Sequence, residues 1–83
     1  MKKQRNLHPG EVLYEQFLKP SRLSQNALAR EIGVPPRRIN EIILGKRGIT
    51  ADTALRLAKR FGNPARYWMG LQADFDLEEA KQS

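Results

Sequence analysis

The chain has 83 residues, no cysteine and a formal net charge of +6. That length makes one domain with no room for a second core, and the missing thiols exclude disulfides and thiolate metal sites, as fits a reducing cytoplasm. No apolar run approaches the roughly 20 residues of a membrane span, and the basic start Met1-Lys2-Lys3-Gln4-Arg5 is not followed by the apolar stretch of a signal peptide, so neither a membrane partner nor export is expected.

Proline and glycine punctuate the chain into short blocks, and each block has helical period. Pro9 suits a first helical position, Glu11 follows it, and Leu13/Phe17 and Tyr14/Leu18 lie four apart, which predicts a helix over 9–18. Pro20-Ser21 reads as its end. Ser24 is an N-cap for a second helix over 24–31, with Leu28 and Ile32 on one face. A third runs over 35–43 with Ile39, Ile42 and Ile43. Thr50 caps a fourth over 51–61, where Asp52 suits the first turn and Ala54, Leu57, Ala58 and Phe61 complete an i, i+3, i+4, i+7 stripe. Asn63-Pro64 reads as N-cap then N1 of a fifth over 64–79, striped by Trp68, Leu71 and Phe75. No segment alternates as a strand does. The expected class is all-α with five helices, and residues 1–6 and 81–83 are expected to be loose tails.

The stretch from Ser24 to Leu44 has the form of a helix-turn-helix. Ala27 and Ala29 let two helices approach, and Gly33 supplies the positive φ of a tight turn. Val34 is pushed towards extended geometry by the proline after it, and Pro35 and Pro36 open the second helix where backbone donors are spare. With Ile39, Ile42 and Ile43 on the buried face, Arg37, Arg38, Asn40 and Glu41 remain on the others. In such a motif the second helix presents its N-terminal residues to base edges; Arg can pair with guanine and Asn with adenine. Lys46 and Arg47, just after it, are placed for phosphates. The competing reading is a helical hairpin with a solvated polar face.

Charge favours a polyanion partner. Up to Ala73 fourteen Lys/Arg stand against five Asp/Glu, whereas the last ten residues carry Asp74, Asp76, Glu78 and Glu79 against Lys81.

Ser24-Gln25-x-x-Leu28-Ala29-x-x-Ile32-Gly33-Val34, Ile39-Asn40-x-Ile42 and Gly45-Lys46 resemble the lambda-repressor-like (Cro/CI, or XRE) helix-turn-helix class. His8-Pro9-Gly10-Glu11-Val12-Leu13 before this run, and Gly62-Asn63-Pro64-x-x-Tyr67-Trp68-x-x-Leu71-Gln72-x-x-Phe75-Asp76-Leu77 after it, resemble HigA/VapI-type antitoxins. The resemblance implies a lambda-repressor-like fold over 7–80 and binding of double-stranded operator DNA as a homodimer. By position it implies that Gln25 bonds a phosphate and that Pro36, Arg37, Asn40 and Glu41 read bases, with Arg38 beside them. Pro36 and Glu41 depart from the pattern: proline offers no side-chain hydrogen bond, and a carboxylate repels phosphate and could only accept from cytosine. Readout is therefore expected mainly from Arg37, Arg38 and Asn40. HigA proteins also neutralise an mRNA-cleaving RNase-type toxin and repress their own operon. The alternatives are a stand-alone XRE-type regulator and a module that only sequesters a toxin.

Other residues have plainer readings. His8, the single histidine, is a helix-entry residue rather than a catalytic base. Asp74, Asp76, Glu78 and Glu79 lack the spacing of a calcium loop and read as a solvated face. Arg56, Lys59 and Arg60 read as a solvated face too. Lys2, Lys3 and Arg5 form either a plain tail or a DNA-binding arm. Trp68, Leu71 and Phe75 are either core or, at this chain length, a dimer interface on helix 64–79. No Ser/His/Asp set, phosphate loop or metal-ligand cluster is present in the sequence, so neither an enzyme nor a cofactor or metal is expected.

Overall fold

The computed structural model describes residues 6–82, and the candidate arm Lys2, Lys3 and Arg5 lies outside them. Among the described residues the chain forms five helices and no strand. The first, α1, covers 9–21 in three stretches: α-helical over Pro9–Val12, π-helical over Leu13–Leu18 and α-helical over Lys19–Ser21. The others are α2 (Gln25–Ile32), α3 (Pro36–Ile43), α4 (Ala51–Phe61) and α5 (Ala65–Gln82).

Two of the helix starts and one end follow the local chemistry expected of them. Ser24 accepts from Ala27 N–H at 3.0 Å, Thr50 accepts from Thr53 N–H, and Gly33 ends α2 in the left-handed region at φ 76°. His8 caps α1: its Nδ1 accepts from Gly10 N–H at 2.9 Å, while Glu11 Oε1 accepts from His8 N–H at 3.2 Å. Only a neutral imidazole has that acceptor. Burial of the ring holds its pKa below the ordinary value, against the opposing pull of Glu11 and Asp76.

Two boundaries differ from expectation. Pro20 does not end α1 but sits in its last turn. A proline removes one backbone donor and crowds the carbonyl four residues back. Here the helix has already shifted to the wider π register, with Lys19 N–H donating to Tyr14 O, before Pro20 is reached. The chain leaves the helix only at Arg22, which is left-handed at φ 54°. At the other end α5 begins at Ala65 rather than Pro64 and runs to Gln82. Asn63 is not its cap: the Asn63 carbonyl Oδ1 instead accepts from Trp68 Nε1 at 2.8 Å. The expected loose ends shrink accordingly. Asn6 Nδ2 donates to Phe75 O at 3.2 Å and to Glu79 Oε2 at 3.0 Å, and Lys81 and Gln82 are helical.

The core joins all five helices through Leu13, Leu18, Leu28, Ile32, Ile39, Ile42, Leu57 and Trp68, with Ala29 and Ala54 where backbones come close. The approach of α1 to α3 is close. A Cβ built on Gly10 would lie 1.8 Å from the carbonyl oxygen of Ile42, so the first turn of α1 sits directly on the end of α3.

Helix α5 is not an appendage to a four-helix block. Trp68 is 0% exposed and lies among Phe17, Phe61 and Tyr67, at centroid distances of 4.8, 6.1 and 5.2 Å. Leu71 packs on the core, Gln72 Oε1 accepts from Ile49 N–H at 2.7 Å, and the His8 ring meets Phe75 edge-on at 4.8 Å. Of the candidate interface stripe, Trp68 is therefore core, and Leu71 and Phe75 are half-covered by the chain's own residues. The charged face of α4 is likewise tied down: Arg56 donates to Ile32 O at 2.8 Å and Arg60 pairs with Glu31, both on α2.

Candidate nucleic-acid interface

The helix-turn-helix is α2, the turn at Gly33, and α3. Pro35 is extended at φ −63° and ψ 141° and occupies the cap position, and Pro36 is the first helical residue, where a missing N–H leaves no bond unmade. Ile39 and Ile42 anchor α3 in the core. Arg37, Asn40 and Glu41 follow at i, i+3 and i+4, so they share the outward face.

Helix α3 ends in a two-bond cap: Gly45 N–H donates to Ile42 O at 3.0 Å and Lys46 N–H to Glu41 O at 2.9 Å. Gly45 is left-handed at φ 77°, which a side chain would strain. That turn brings the following Arg47 back alongside α3. Arg47 Nη2 reaches Glu41 Oε1 at 3.0 Å. Lys46 is exposed and makes no ion pair among the described residues.

Most of the expected site residues form one connected surface. Arg37 Nε donates to Glu41 Oε2 at 2.9 Å, with the Arg37 side chain 84% exposed. That hydrogen bond, then the charges of Arg37 and Arg47, hold the Glu41 carboxyl below its ordinary value, while the same bond and the Glu41 charge raise the Arg37 guanidinium. Asn40 Nδ2 donates to Gln25 Oε1 at 2.6 Å, so the two helices of the motif are linked through the side chains expected to touch base and phosphate. Pro36 is exposed at the head of α3.

Arg38 departs from the set. One residue on from Arg37, it is turned about 100° around the helix and meets Asp52 Oδ2 at 3.1 Å, which Arg56 also holds at 3.1 Å. It links α3 to α4.

Sequence reasoning missed one part of this surface. An open groove beside Gln25 and Asn40 is lined also by Tyr14, Lys19, Arg22 and Asn26. It brings two cations from the end of α1 next to the motif. Their position either side of Pro20-Ser21, just before the Ser24 cap, was a usable signal only once α1 was known to continue through the proline. Among the described residues no cluster of His, Asp or Glu could hold a metal, and no helix is long and apolar enough to cross a membrane.

Comparison with known proteins agrees with this geometry. The helix-turn-helix family HTH_3 matches residues 15–68. Virulence-associated protein I of Dichelobacter nodosus is 54% identical over 76 residues, covering 92% of this chain and 70% of the relative. Antitoxin HigA-1 of Vibrio cholerae is 33% identical over 79 residues, covering 95% of this chain and 74% of the relative. Among solved structures, the Pseudomonas aeruginosa antitoxin HigA with the higBA promoter superposes with a TM-score of 0.90 at 42% identity, covering 92% of this chain and 83% of that one. The antitoxin GraA in complex with its operator also has a TM-score of 0.90, at 40% identity, covering 100% of this chain and 84% of that one.

Proposed function

The chain belongs to the helix-turn-helix family HTH_3, and from that membership we propose that it is a cytoplasmic repressor that binds double-stranded operator DNA as a homodimer. It also serves as the antitoxin of a type II toxin–antitoxin pair, neutralising an mRNA-cleaving toxin and repressing its own operon. The reading rests above all on one face: Arg37 and Asn40 are presented outward on a short helix whose opposite side is locked into the core. The solved relatives named as antitoxins, two of them with promoter or operator DNA, support both halves of it.

In this reading α3 lies in the major groove. Arg37 offers two terminal nitrogens to guanine, Asn40 reads adenine, and Gln25, Lys46 and Arg47 bond phosphates. Arg37→Ala is expected to weaken binding to the operator by about 1–3 kcal/mol and to relax preference at one base pair, with much less effect on random DNA. Titration of both duplexes by fluorescence anisotropy measures this; equal losses on the two would remove Arg37 from base reading.

The two copies meet on α5. Because Trp68 is core, the face left for a partner is the opposite one, where Met69, Ala73 and Leu77 recur every fourth residue and are exposed. An antiparallel pair of α5 helices centred on Ala73 sets Met69 of one copy against Leu77 of the other, as a two-fold axis requires. The acidic end of α5 suits a place away from the DNA. Leu77 is 63% exposed, so a charge there leaves the core alone, whereas Leu71 packs on it. Leu77→Glu is expected to give monomers in sedimentation and an operator affinity lower by roughly 100-fold, the low end of what linking two binding modules gains. A wild-type protein that is monomeric both free and on DNA, or a Leu77→Glu variant that stays dimeric, would contradict this interface.

A further inference from the structure

Glu41 is an unusual residue to find on a surface offered to a polyanion, and both of its oxygens are already engaged. Oε2 accepts from Arg37 Nε at 2.9 Å and Oε1 from Arg47 Nη2 at 3.0 Å. We propose that Glu41 is a specificity-determining positioning residue: it clasps Arg37 and Arg47, aims Arg37 at a base, and holds the Arg37 guanidinium back from phosphates on DNA of the wrong sequence. The inference rests on the operator-binding reading above and deepens it.

The geometry separates two kinds of encounter. The clasp uses only Nε of Arg37, so its two terminal nitrogens stay free as a fork that matches O6 and N7 of guanine. On the operator, then, Arg37 makes its base contact with the clasp intact. Random DNA offers a different bargain. Arg37 has no matching base there, and its best contact is a phosphate, which requires leaving Glu41 and placing that carboxylate, now held by Arg47 alone, next to the DNA backbone. An exposed ion pair of this kind adds little to folding, so stability is a poor reason for it.

The test uses the full chain and two duplexes of equal length, one selected from a randomised library for tight binding and one scrambled. For Glu41→Gln the scrambled duplex is expected to bind roughly 3- to 10-fold more tightly, with the salt slope steeper by about one as a freed arginine reaches a phosphate. Affinity for the selected duplex is expected not to rise, so the specificity ratio falls, and preference at the base pair read by Arg37 flattens. In an Arg37→Ala background Glu41→Gln is expected to leave base preference unchanged, which a merely structural role for Glu41 would not produce. Weaker binding to the selected duplex with the scrambled one unchanged would overturn the proposal in favour of direct base contact. Equal gains on both duplexes would reduce Glu41 to simple charge repulsion and overturn it too. A wild-type protein that binds the two duplexes equally rejects operator recognition itself. A wild type that discriminates, with a Glu41→Gln variant of the same ratio and slope, rejects only the role of Glu41.

Discussion

Gly10→Ala is expected to destabilise the domain by about 3 kcal/mol, the upper end of the usual overpacking range, although alanine is otherwise the better helix former. The added methyl would lie 1.8 Å from Ile42 O, 2.6 Å from Ile42 C and 2.9 Å from Ile43 Cα. All three are backbone atoms, so no rotamer change relieves the clash, and α1 must lift from α3 by more than an ångström. For a domain of this size that corresponds to a fall in Tm of roughly 12–24 °C. The damage is also expected to reach DNA binding, because α3 carries Arg37 and Asn40. Urea denaturation and operator titration on the same preparation check both effects. A variant within about 1 kcal/mol of wild type would show that the two helices are looser than this geometry requires.

Trp68→Ala is expected to cost about 3–5 kcal/mol, as truncation of a buried large aromatic does. In a small domain with total stability near the low end of about 5–15 kcal/mol, that leaves roughly 0–2 kcal/mol, so unfolded chains become appreciably populated. The indole fills the space between Phe17, Phe61 and Tyr67, and removing it also strands the Asn63 carbonyl that accepts its N–H. The loss is expected in the unfolding of the monomer. Denaturation at concentrations below the dimer's dissociation midpoint tests that distinction from Leu77→Glu: a Trp68→Ala monomer as stable as the wild-type monomer would return the residue to the interface.

The two sides of α5 explain why the sequence leaves its stripe open between core and interface. Trp68, Leu71 and Phe75 make a stripe that suits a core or a partner equally well, and Met69, Ala73 and Leu77 make a second stripe on the other side. A helix apolar on both sides has somewhere to bury each of them, but periodicity does not say which side meets its own chain. Arg38 and Arg37 pose the same problem on a smaller scale. They are neighbours of identical chemistry, and only Asp52, brought close by α4, turns one of them away from the open face. Lys19 and Arg22 went unnoticed because a proline between them read as a helix end.

What the sequence by itself determined about this protein is everything settled within a turn or two of helix. Ser24 and Thr50 start helices by bonding a donor three residues on, Gly33 ends one by tolerating a positive φ, and the isoleucines of α3 leave Arg37, Asn40 and Glu41 on one face by the 3.6-residue period alone. That was enough for five helices, a helix-turn-helix and the family resemblance. Only the tertiary structure decided that Gly10 is the point where α1 meets α3, that Trp68 is core, and that Gln25 and Asn40 are joined. The reason is physical: capping and period act between residues that the helix itself holds together. Those other roles arise between residues far apart in the chain, whose meeting depends on how every helix packs.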